Sequence, residues 1–118
     1  MMVVTMPYVP GYRTTKTYGL VRGNTVRARH IGRDIMALFK NIVGGEVSEY
    51  TKLMAESREQ SLDQMVTEAA ELGANAIVSV RMTTSMISQG MAEILLFGTA
   101  VHIELEDSAE AHNDRRLE

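Results

Sequence analysis

The stretch 92-AEILLFGTAVHIE-104 carries apolar side chains on both of its faces. In a β-strand, successive side chains point to opposite sides. Leu95, Phe97, Val101 and Ile103 then share one parity, and Ile94, Leu96, Gly98 and Ala100 share the other. A strand of this kind needs cover twice. One layer of helices supplies the first cover, and an apolar face left in water usually marks an interface. The economical solution is a second copy of the chain, with sheets joined edge to edge or closed into a ring.

Working outward, 76-AIVSVRMT-83 alternates Val78, Val80 and Met82 with Ser79, Arg81 and Thr83, a second strand. The connection is 85-SMISQGM-91, with Gly90 as its turn residue. Before it, 48-SEYTKLMAESREQSLDQMVTEAAELGAN-75 spaces Tyr50, Leu53, Met54, Leu62, Met65, Val66, Ala69 and Leu72 as a helical stripe interrupted by Ser57 and Ser61. Ser48 reads as the N-cap and Gly73 as the C-terminal cap. The spacing predicts one helix of about seven turns. Upstream, Ile35, Leu38, Phe39, Ile42 and Val43 predict a shorter helix, ended by Gly44 and Gly45. 18-YGLVRGNTVRAR-29 reads as a strand with a turn or bend at Gly23 and Asn24, and the proline-broken N-terminus as an extended lead-in. The expected fold is α+β: a small antiparallel three-stranded sheet with two helices on one face. It forms a single domain over residues 1–105, followed by a polar, disordered tail at 106–118.

The chain has 118 residues, which suits one domain with a modest core. Its net charge of -3 and few aromatics argue against nucleic acid as a partner. With no Cys, disulfides, thiolate nucleophiles and thiolate metal sites are excluded. The N-terminus lacks the basic region of a secretory signal, and no stretch has the roughly 18 apolar residues of a membrane span. A cytoplasmic protein is expected.

Three blocks resemble the YbjQ-like family of small bacterial and archaeal proteins. They are 19-GLVRGNTVRARHIGRDI-35, 44-GGEVSEYTKLMAESREQSLDQMVTEAAELGANAIVSVRM-82 and 94-ILLFGTAVHIE-104. Within them 50-YTKLMAESREQSLDQM-65, 72-LGANAIVSVR-81 and 97-FGTAV-101 are the specific parts. The resemblance implies a dodecin-like subunit in a homo-oligomeric ring, a pentamer. It also implies a heavy-metal-binding label without an established biochemical activity. Phe97 stands where that family more usually has Tyr, so any role of that hydroxyl is absent here.

Soft metals want thiolate or thioether ligands, and imidazole suits Zn, Cu and Ni. His30, His102 and His112 have no short ligand spacing, and the Met residues sit mostly at core positions, so no metal ligand is assigned. No cofactor is identified. Nucleophilic catalysis has little support, because no Ser lies in a G-x-S-x-G context. Arg22, Arg27, Arg29, His30 and Arg33 cluster at a strand-to-helix junction, where helix amides attract anions; they are candidates for a small-anion site or an assembly contact. Tyr50, Ser57, Arg58, Glu59, Ile94 and Leu96 are the candidate interface between copies. The function expected is binding of a small ligand or partner at subunit interfaces, without catalysis. The alternatives are a metal-binding or metal-responsive ring and an enzyme acting on an anionic small molecule.

Overall fold

The computed structural model describes residues 1–27, 45–88 and 91–106. In chain order they form β1 (Met2–Val3), β2 (Tyr12–Arg27), α1 (Gly45–Leu72), β3 (Ala76–Ser88) and β4 (Met91–Leu105). The sheet has four strands in the order β1-β3-β4-β2. β1 pairs with β3 in parallel, Met2 beside Ala76 and Val3 beside Ile77. Contacts between β2 and β4 run the other way. Arg13 meets Glu104, Thr15 meets His102 and Asn24 meets Glu93, so residue number falls along β4 as it rises along β2.

This corrects the expected three-stranded antiparallel sheet with two helices. The lead-in adds a fourth strand in parallel, which makes the sheet mixed. Among the described residues there is a single helix. The shorter helix expected at 35–43 lies outside them, as do the turn residue Gly90 and the tail from 107 onward. Three further boundaries move. β2 runs straight through Gly23 and Asn24, where a turn was expected. α1 begins at Gly45, so Ser48 is inside the helix rather than its cap. β3 continues to Ser88, five residues past the expected end at Thr83.

The described residues group into two compact units. The first holds residues 1–21, 66–81 and 97–106. Its core is Val9, Ala76, Val78, Val101 and Ile103, with Val4 and Tyr12 packed against it. Val101 and Ile103 of β4 therefore share a core with residues of the chain's own N-terminal segment. α1 ends here in a Schellman motif: Gly73, at φ 94°, donates to Ala70, and Ala74 donates to Ala69. Asn75 follows and extends the ladder with its side chain. Its Nδ2 donates to the Ile103 carbonyl at 2.9 Å, and its Oδ1 accepts from the Ile103 amide at 2.7 Å. The side-chain amide thus replaces a missing backbone pair.

Ser79 lies in mid-β3 at φ 54°, a left-handed conformation in which Cβ crowds the backbone. The amides of Ser79 and Val80 both donate to the N-terminal segment, to Met6 and Val4. Consecutive amides of a regular strand point to opposite sides. This is a β-bulge, and it breaks the simple alternation read from the sequence. Arg81 closes it, its Nη1 donating to the carbonyls of Thr5 and Val80.

Candidate functional site

The second unit holds residues 22–27, 45–65, 82–88 and 91–96. Its packing starts from Gly23. A Cβ there would run into the Ser61 carbonyl and stand 2.8 Å from the Met65 amide. Glycine lets the helix backbone lie on the strand. Around that contact is a small polar network. Ser57 and Ser61 are fully buried and Thr25 nearly so. The Thr25 hydroxyl donates to the Ser57 carbonyl at 3.1 Å and lies 2.8 Å from the Ser61 hydroxyl. Ser57 donates to Leu53 one turn back, and Ser61 also reaches the Ile94 carbonyl at 3.3 Å. Among the described residues no buried side-chain N or O lacks a partner. The burial is then tolerable, because each hydroxyl recovers the hydrogen bonding it gave up to water.

Ser57, one of the candidate interface residues, thus lies with Ser61 where α1 meets β2 inside the unit. Of the other interface candidates, Ile94 and Leu96 are buried, and Arg58 and Glu59 are exposed. The side chain of Tyr50 lies outside the described residues, as does that of Arg27, the last residue of β2. Arg22 is exposed on β2, while Arg29, His30 and Arg33 fall outside the described residues. The structure therefore places one arginine of the expected anion cluster.

Two polar groupings could hold a charged species. On α1, Lys52, Ala55, Glu56, Glu59, Gln60 and Asp63 line a shallow outer groove. In the first unit, His102 Nε2 lies 3.6 Å from Glu104 Oε1, while Arg13 Nη2 lies 3.5 Å from Glu104 Oε2. A closed structural zinc site needs about four ligands. Among the described residues no three His, Asp or Glu side chains come together. His102 and Glu104 supply two, and Arg13 puts a positive charge on one of them. The described residues of one chain do not fit a closed metal site.

The feature that sequence reading missed is at the far end of β3. From Met82 to Ile87 every residue is exposed, including Met82 at 49%, Met86 at 72% and Ile87 at 52%. β1 accompanies β3 only at its start, and the backbone hydrogen bonds between the N-terminal segment and β3 end at Val80. Among the described residues no strand covers that edge beyond the bulge. The stretch MTTSMIS has neither charge nor proline, the two devices that usually blunt a free edge. The signal was present in its β-branched and apolar composition, but the strand was ended at Thr83 and Ser85–Ser88 was read as part of a connection with Gly90 as its turn residue.

Residues 1–104 match the YbjQ-like family, described as "Putative heavy-metal-binding". The chain is 56% identical over 104 residues to a UPF0145 protein of Pyrococcus horikoshii, covering 88% of this chain and 89% of that one. It is 55% identical to a UPF0145 protein of Pyrococcus abyssi, covering 91% and 94%. A third UPF0145 protein, from Thermosipho melanesiensis, is 46% identical, covering 91% and 99%. A crystal structure of a protein of unknown function in the DUF74 family, from Pediococcus pentosaceus, has a similar fold. Its TM-score is 0.58 at 13% identity, covering 88% of this chain and 98% of that one.

Proposed function

The chain belongs to the YbjQ-like UPF0145 family, and from that premise we propose that it is a self-assembling, non-catalytic binding protein. Its copies join through free strand edges and hold a small ligand or partner where they meet. One observation carries this reading: Met82–Ile87 is exposed, has neither charge nor proline, and along its β1-side edge has no strand beside it among the described residues. An edge of that kind is a template for a further strand. On its opposite side the sheet ends at β2, which differs from β3 in sequence and length. Joining unlike edges head to tail produces a ring when the rotation closes. The pentamer implied by the family resemblance is a ring of that type.

The family description favours a second reading, in which a metal is the ligand. Two donors, His102 and Glu104, lie together on one strand. Repetition of such a pair around a ring axis would supply the further ligands that one chain lacks. Both readings need the assembly first.

The test is a charge placed on the edge. Ile87→Lys puts an ammonium where a neighbouring strand would pack and leaves the buried residues unchanged. Sedimentation should show the wild type as an oligomer and the variant as a folded monomer with unchanged circular dichroism. An oligomer of unchanged size in the variant would remove the edge from the account.

A further inference from the structure

The chain contains no cysteine, so its sulfur chemistry falls on nine methionines. Their burial differs. Met65 is fully buried, where a thioether fills space and is shielded. Met82 and Met86 are 49% and 72% exposed. They stand four residues apart, so strand alternation puts them on one face of the free part of β3. Building on the assembly reading above, we propose that Met82 and Met86 are a peroxide-sensitive modification site that controls joining of copies at this edge.

The chemistry is a two-electron oxidation. The thioether sulfur attacks a peroxide oxygen, an S–O bond forms and the O–O bond breaks. After proton transfer the products are methionine sulfoxide and water. The sulfoxide replaces a soft apolar group with a strongly polar acceptor. Buried against a neighbouring strand without a donor, it carries the desolvation cost of an unsatisfied polar group. Two sulfoxides on one face of a short edge oppose packing together. Met1, Met2 and Met6 are also exposed, but they belong to the N-terminal segment, outside the stretch 82–88. Reversal requires a sulfoxide reductase, which makes the change a switch instead of damage.

The test treats the purified full chain with hydrogen peroxide at a dilution where its copies are apart, and then reconcentrates it. Sulfoxides are then mapped by peptide mass spectrometry, and subunit number is read by native mass spectrometry. The expected result is oxidation of Met82 and Met86, an intact Met65 and loss of the assembled species. The variant Met82→Leu/Met86→Leu should assemble and keep its subunit number under the same treatment. A second variant, Met82→Gln/Met86→Gln, carries polar groups of similar length without any oxidation and should fail to assemble. If the untreated wild type is a monomer, the assembly reading itself fails. If it assembles, the switch is overturned by any of three results: oxidised protein that keeps its subunit number, a Leu pair that dissociates like the wild type, or a Gln pair that assembles normally.

Discussion

Three single residues carry an unusual share of the local structure, and only one was legible in advance. Gly73 was readable because a glycine following a long helical stripe has one common use, the left-handed cap that it adopts here. Asn75 gave no such signal, since a polar residue before a strand is ordinary. Its amide nevertheless completes the ladder of Ile103 on both sides. Asn75→Ala removes both partners at once and should destabilise the fold by about 1–3 kcal/mol, read as a lower denaturant midpoint with unchanged slope. Ser79 was hidden for the opposite reason: its neighbours Val78 and Val80 complete an apparently regular alternation. A non-glycine residue in its conformation costs roughly 1–2 kcal/mol, and a strand glycine costs roughly 0.5–1 kcal/mol in entropy. Ser79→Gly should therefore stabilise by up to about 1 kcal/mol, measured by thermal unfolding. A loss of stability would show that the serine side chain has a role beyond tolerating the bulge.

At the scale of elements, the long helix and the two-sided last strand were legible because their periods are strong. The boundaries were not. Glycine was read as punctuation at 23 and at 90, and the two positions shaped the reading differently. Gly23 is in mid-strand because α1 leaves no room for a Cβ, a three-dimensional reason that a one-dimensional pattern cannot carry. Gly23→Ala drives a methyl group into helix backbone and should cost at least about 1–3 kcal/mol. The check is its thermal midpoint beside that of Gly11→Ala, where nothing lies within 4 Å of the added Cβ and only the positive φ is strained. Equal losses at the two sites would mean that the helix–strand contact is softer than its geometry implies. Gly90 had a second effect, because reading its surroundings as a connection concealed the length of β3 and an edge that no strand among the described residues covers.

For the whole molecule, the α+β class was readable and the strand count was not. The two apolar faces of β4 call for cover on both sides. Val101 and Ile103 are buried within the chain, in a cluster with Val9, Ala76 and Val78 against which Val4 and Tyr12 pack. Proline had made this segment look like a lead-in, although a parallel β1 of two residues is enough to anchor it. What now motivates assembly is narrower: the uncharged edge from Met82 to Ile87. The anion cluster is represented among the described residues by exposed Arg22 on β2. The central claim is that free edges join copies of this chain. Native mass spectrometry of the purified full chain, with and without a chelator, tests it most directly. The account predicts a single closed species of several subunits that survives the chelator, with any bound ligand visible as added mass. A monomer at the concentrations where the protein is stable and folded would contradict it.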